Sequence, residues 1–203
     1  MRGRSRRAHA PEGPRDAALN DLPSRYAVDM GLRCYLGHGA SGSAASMTPF
    51  VEGLRARGVA AVAIDLPRRR AEDALPAFHR QVPLAPEAVV GGHSYGGRVA
   101  SLAAAEPGSP YAALVLFSYP LHPPGAVEKT EGRIAHWPAI RCPVLLLSGE
   151  SDPFARIDLL RDAATRLGGP ADLVTFPRLG HTLRPVLDEV LDRVADFLGM
   201  IGR

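Results

Sequence analysis

The stretch Val89-Val90-Gly91-Gly92-His93-Ser94-Tyr95-Gly96-Gly97-Arg98 constrains this 203-residue chain more than any other. Two valines end a short apolar strand, a helix-like run begins at Tyr95, and Gly92 and Gly96 stand two residues to either side of Ser94. A serine on so sharp a strand-to-helix turn holds a strained backbone, and a side chain at either flanking glycine would collide with neighbouring backbone. A G-x-S-x-G turn of this kind lifts the serine hydroxyl above the end of a sheet. It also aims the next N–H, that of Tyr95, at the place where an oxyanion would form. In a chain with 21 glycines the same spacing also arises by chance, as a turn without chemistry. The rest of the chain has to decide between the two.

Read in order, the sequence alternates strands with helices. Arg33 to Leu36 is a short strand running into a glycine-rich loop, Gly37-His38-Gly39-Ala40-Ser41-Gly42. Thr48 and Pro49 start a helix with Phe50, Val51 and Leu54 as its apolar stripe, and Gly58 stops it. Val59 to Ile64 is continuously apolar, as a strand covered on both faces requires. Residues 67 to 86 are less regular: Arg68, Arg69 and Arg70 form a solvated loop, or one that meets an anionic substrate, before a weak helical pattern at Ala74, Leu75 and Phe78. Glu87 to Gly91 is the strand that enters the elbow, and Tyr95 to Glu106 the helix that leaves it. Strands follow at Ala112 to Phe117, Val144 to Leu147 and Leu173 to Phe176. Between the last two, a helix is expected from Phe154 to Leu167. The closing helix carries Val186, Leu187, Val190, Leu191, Val194, Phe197 and Leu198 on one face and Asp188, Asp192 and Asp196 on the other. This alternation predicts one α/β domain over residues 26–203, a parallel sheet with helices on both faces.

Composition excludes several other classes. Six arginines (Arg2, Arg4, Arg6, Arg7, Arg15, Arg25) against Glu12, Asp16 and Asp21 account for the whole net charge of +3. The basic character therefore belongs to residues 1–25, a tail expected to be disordered, and the remainder offers no nucleic-acid surface. No apolar run is long enough to span a bilayer. Cys34 and Cys142, each beside an apolar strand, read as two buried thiols in a reducing, cytoplasmic setting. The histidines are scattered without metal-ligand spacing, so no metal or other cofactor is expected.

In a parallel sheet, reactive groups lie on loops leaving the C-terminal ends of strands. Ser94, Asp152 and His181 all occupy such loops. A serine hydroxyl is a weak nucleophile at neutral pH and needs a base, and the base needs an acid that fixes its tautomer. His181 is the candidate base and Asp152 the acid, with Glu150 and Asp65 as weaker alternatives. Each has a plainer reading: Asp152 before Pro153 is also a helix cap, and His181 also a core-edge histidine. Tyr95 and Ala40 are the candidate oxyanion donors, with Ser41 able to replace Ala40. His38 and His93 flank the site as structural residues.

Gly39-Ala40, Gly-His-Ser-Tyr-Gly-Gly-Arg at 92–98, Ser-Gly-Glu-Ser-Asp-Pro-Phe at 148–154 and Leu-Gly-His at 179–181 resemble the α/β-hydrolase superfamily. With Ser118-Tyr119-Pro120-Leu121-His122-Pro123-Pro124-Gly125 added, the chain is similar to the small lidless group of dienelactone-hydrolase-like and testis-expressed hydrolase-like proteins, over about residues 31 to 198. The resemblance implies a serine hydrolase carrying Ser94, Asp152 and His181 and acting on a small acyl substrate. Because the group is also similar to a chromatin-complex scaffold subunit, the alternative is a non-catalytic binding or scaffold protein on the same fold. Two departures from the usual fold shape the expectation. Few residues precede the Cys34 strand, which leaves about six strands. The link from Phe117 to Pro143 is too short for a lid, so the site should be open, with Tyr119 and His122 lining it.

Overall fold

The computed structural model describes residues 31–202; the Arg-rich segment 1–25 lies outside the described residues. Six strands form one sheet: β1 (Arg33–Gly37), β2 (Ala60–Ile64), β3 (Ala88–His93), β4 (Ala113–Phe117), β5 (Val144–Gly149) and β6 (Ala171–Phe176). Their order is β2-β1-β3-β4-β5-β6, and all five pairings are parallel. The chain steps outward from β1 to β2, then returns to the other side of β1 and proceeds outward through β3 to β6. The reversal between β1 and β3 opens a crevice at their C-terminal ends, where a sheet of this kind takes its ligand.

Six helices cover the sheet: α1 (Thr48–Ala56), α2 (Ala71–His79), α3 (Tyr95–Ala104), α4 (Thr130–Ile134), α5 (Ile157–Ala164) and α6 (Leu187–Ile201). Alternate strand residues feed two cores. On one face Leu36, Val89, Val115, Phe117, Leu145 and Leu147 pack against α1 and α6 through Phe50, Leu54, Val190, Val194 and Leu198. On the other, Val90, Leu114, Leu116, Val144 and Leu146 meet Phe78 of α2, Val99 and Ala103 of α3, and Leu160 of α5. The α1–α6 layer is pinned at its rim by Arg57, whose guanidinium donates to Asp192 at 2.7 Å. Segment 118–143 joins β4 to β5 and inserts no lid domain. It holds α4 and short turns, and it buries Ile134, Trp137 and Ile140 in the α2–α3 side of the core.

Two glycines make the β1–β3 junction possible. A Cβ on Gly92, whose φ is +150°, would stand 2.2 Å from the carbonyl oxygen of Gly37, and one on Gly96 would stand 2.2 Å from the same oxygen. Gly37 is paired with Gly92 in the β1–β3 register, so the start of α3 rests directly on the end of β1.

The six expected strands are all present, and the main departure concerns α5, expected from Phe154 to Leu167 but formed only from Ile157 to Ala164. Residues 154–156 are taken by other partners. Phe154 N–H donates to Asp152 Oδ1 at 2.8 Å, His122 N–H to the Phe154 carbonyl at 2.9 Å, and Arg156 N–H to His122 Nε2 at 3.1 Å. These bonds hold Arg156 at an extended ψ of 124°, so no helical turn starts before it. The two cysteines are free; Cys34 is fully buried, which pushes its thiol up to about 12, and Cys142 is partly buried, its thiol held at about 11 by the same cause.

Replacing Gly96 with Ala forces backbone against backbone at the β1–β3 junction. It should cost about 3 kcal/mol or more, read as a lowered denaturant midpoint. Gly132→Ala, on α4 with open space where its Cβ would stand, should be neutral or stabilise by up to about 1 kcal/mol.

Candidate active site

Ser94 sits between β3 and α3 with φ 51° and ψ −110°, a conformation that L-residues rarely adopt. Its N–H donates to the Phe117 carbonyl at 2.9 Å, prolonging the β3–β4 ladder by one rung and holding the strained turn in place. His181 Nε2 lies 2.8 Å from Ser94 Oγ, and His181 Nδ1 lies 2.8 Å from Asp152 Oδ2. A carboxylate only accepts, so Nδ1 carries the proton toward Asp152 and Nε2 is left bare to accept the Ser94 hydroxyl. The Asp152 side chain is fully buried. Its second oxygen accepts the Phe154 N–H, so neither oxygen is left unpaired in a poorly solvated place. Asp152 is not the helix cap of its plainer reading, because α5 begins only at Ile157 with Arg156 as its cap; one oxygen makes a local turn bond and the other orients His181.

Long-range contacts deliver His181. The 179–181 loop crosses the end of β5, where a Cβ on Gly149 would stand 2.2 Å from the Leu179 carbonyl oxygen and 2.4 Å from that of Gly180. Ser151 N–H donates to the Leu179 carbonyl at 2.8 Å and Glu150 N–H to the Phe176 carbonyl at 3.0 Å, fixing the loop against the Asp152 turn. The imidazole contacts two rings, Phe154 at 4.5 Å and His93 at 5.1 Å between centroids. His93 Nε2–H donates to the His181 carbonyl at 3.1 Å. Burial lowers the pKa of His93, so it acts here as a neutral donor. Glu150 and Asp65 serve elsewhere: Glu150 accepts from Thr175 Oγ1 at 2.8 Å, and Asp65 from the Ala44 N–H at 2.7 Å.

An open cleft of about 410 Å³ leads down to Ser94 and His181. The Gly39–Gly42 loop forms one wall, Met47, Phe50 and Leu183 supply apolar surface, and Arg184 stands at the rim. Ala40 and Ser41 both line it. The direction of the Ala40 N–H follows from the peptide it shares with Gly39. The Gly39 carbonyl accepts from His38 Nδ1 at 2.8 Å and from the Gly42 N–H at 2.9 Å. The Ala40 N–H, trans across the same planar unit, points the opposite way. His38 is itself clamped, its Nε2 accepting the Leu66 N–H at 3.0 Å. The Tyr95 N–H opens α3 and has no carbonyl one turn earlier to bond. The Tyr95 side chain turns away, its hydroxyl donating to the Pro67 carbonyl at 2.7 Å.

Tyr119 and His122 do not line this cleft, which corrects the expectation for both. Tyr119 is buried against Trp137, with ring centroids 5.0 Å apart, and donates to the Arg133 carbonyl at 2.7 Å. His122 is buried with both nitrogens committed, Nδ1 to the Pro123 carbonyl and Nε2 to the Arg156 N–H. The prolines around them mark a rigid turn packed onto the core. Sequence reasoning missed Phe154, Met47, Phe50, Leu183 and Arg184 as cleft residues. Phe154, two positions after Asp152, and Leu183 and Arg184, two and three after His181, had a nearby signal. Among the described residues no cluster of His, Cys, Asp or Glu is arranged to hold a metal ion, and no helix is long and apolar enough to cross a membrane.

This sheet, with a serine elbow at its switch point and the acid and histidine on later loops, defines an α/β-hydrolase. The alpha/beta hydrolase domain family matches residues 33–198, and the chain belongs to it. No curated protein sequence matches the chain. Among solved structures, a monoacylglycerol lipase from Paleococcus ferrophilus superimposes with a TM-score of 0.70 at 16% identity, covering 83% of this chain and 94% of that one. Esterase 2 of Thermogutta terrifontis, phosphonylated by cyclosarin, gives 0.68 at 19% identity, covering 84% and 83%. A dienelactone hydrolase from Anabaena variabilis gives 0.62 at 22% identity, covering 81% and 84%. At these identities the likeness is one of fold.

His93→Phe keeps a ring beside His181 but deletes the bond to its carbonyl. The variant should lose about 1 kcal/mol of stability, and the amides of residues 179–182 should exchange with solvent faster than in the wild type.

Proposed function

We propose that the protein is a serine hydrolase of small esters or thioesters. The observation that carries this reading is the unbroken relay from Asp152 through His181 to Ser94, each link 2.8 Å, ending on a strained serine at the floor of an open cleft. Ser94 Oγ attacks the acyl carbon while His181 Nε2 takes its proton. The tetrahedral oxyanion is held by the Tyr95 and Ala40 amides, and His181 returns the proton to the leaving group. Water, deprotonated by the same histidine, then releases the acid from Ser94. Asp152 keeps its charge throughout and stabilises the imidazolium. Preformed amide donors suit this task, since losing one typically costs about 3 to 4 kcal/mol of barrier. The unpaired thiols Cys34 and Cys142 fit a cytoplasmic setting.

The absence of an inserted lid and the modest cleft favour short acyl groups, because among the described residues no segment encloses a long chain. Activity against p-nitrophenyl esters should therefore fall as the acyl chain lengthens from acetate to laurate. A fluorophosphonate probe should label the wild type and fail to label Ser94→Ala. Asp152→Asn should keep the fold and lower kcat by about 10⁴-fold, the loss typical when the base is held in the wrong tautomer. A folded wild type that neither takes the probe nor turns over any ester would leave the binding-protein alternative standing.

A further inference from the structure

The arginine run after β2 is not used by the chemistry above, and the fold gives two of its members a separate setting. Arg69 and Arg70 meet Arg98 of α3 and Arg133 of α4 around a pocket of about 340 Å³, floored by Tyr95 and the first turn of α2. This pocket shares no lining residue with the cleft at Ser94. Four arginines line it, and Glu72 is its only acidic lining residue.

Glu72 already shows how an anion sits there. Its Oε1 accepts from Arg98 at 2.6 Å and its Oε2 is 3.7 Å from Arg70. A bond from its own backbone N–H, followed by Arg98 and Arg70, holds its carboxyl below the usual range. One carboxylate cannot neutralise four cations. Arg69 has no carboxylate within ion-pair distance among the described residues. Arg133 is half-buried, and among the described residues its guanidinium donates to the Pro120 carbonyl alone, at 3.3 Å. Burial and then the nearby Arg98 push the pKa of Arg133 down, and the same two causes hold His136 at about 4. Positive charge is therefore in excess in a partly desolvated pocket. Such charge is costly unless an anion joins it.

We propose that the pocket formed by Arg69, Arg70, Arg98 and Arg133 binds a phosphate group. Planar guanidinium forks match phosphate oxygens in pairs, and a group with two negative charges offsets more of the excess than a carboxylate does. The first turn of α2, whose Ala71 and Glu72 line the pocket, adds the positive end of a nine-residue helix. The phosphate comes either as a free anion or as the diphosphate of a nucleotide, and both use the same donors.

The test is calorimetric titration of the full-length protein with pyrophosphate and, in parallel, with ADP, at low and at physiological salt. Wild type should bind saturably, more weakly as salt rises. Arg69→Gln/Arg70→Gln should lose about tenfold or more in affinity. The double variant should keep the wild-type melting curve, since Arg70 is 80% exposed. Glu72→Gln, which removes the internal competitor, should bind several-fold more tightly. Arg68→Gln should bind as wild type, because Arg68 turns to the Ser41 carbonyl at 3.4 Å and does not line the pocket. ADP binding far tighter than pyrophosphate assigns the phosphate to a nucleotide, and equal binding assigns it to a free anion. No saturable binding, or an affinity unchanged in the folded double variant, overturns the proposal; the second result would put the anion on other arginines, such as those of residues 1–25.

Discussion

The contact between the end of β1 and the start of α3 is the constraint on which the site depends. Gly37, Gly92 and Gly96 bring three stretches of backbone so close that no Cβ fits at either of the last two positions. Only this approach lets β3 turn into α3 within one residue and leave Ser94 at φ 51°. The strain is local, and it is held by the Ser94–Phe117 backbone bond and by α3 packing along its length onto β3 and β4. The same junction sets the Gly39–Gly42 loop beside the serine, because that loop is the direct continuation of β1.

A second convergence, at the ends of β5 and β6, completes the relay. Gly149 lets the 179–181 loop pass over β5 against its backbone, and the Asp152 turn and the His181 loop then bond to each other. Asp152 is buried while His181 is only partly so, an arrangement that gives both carboxylate oxygens a partner and leaves the imidazole open to the cleft. Phe154 and His93 both contact the His181 ring, whose two nitrogens are both paired. The polar parts of the site are thus ordered by the fold itself, the preorganisation that the proposed hydrolysis requires.

Much of the fold was legible from local pattern. Apolar runs such as Val59 to Ile64 and Ala112 to Phe117 mark buried parallel strands by themselves, and the elbow glycines mark their turn. Ser94, Asp152 and His181 could be placed because each follows a strand end that the pattern already located. Phe154 to Ile157 shows where this reasoning stops: the helical periodicity extends back to Phe154, but bonds to His122 and Asp152 claim the backbone first. Tyr119 and His122 failed for a related reason. A loop position tells where a residue leaves the sheet, not which way its side chain faces, and both face the core.

By itself, then, the sequence determined the strand–helix alternation, the elbow and the identities of the serine, histidine and aspartate, because turn chemistry and hydrophobic period act between near neighbours. Tertiary structure alone decided the walls of the cleft, the contacts of the His181 ring with Phe154 and His93, and the orientation of the Ala40 amide by His38. It also separated the arginine run, sending Arg68 toward Ser41 while gathering Arg69 and Arg70 with Arg98 and Arg133. Those outcomes rest on contacts between residues tens of positions apart, for His38 its clamping by the Leu66 N–H, and such contacts exist only once the sheet has brought its strand ends together.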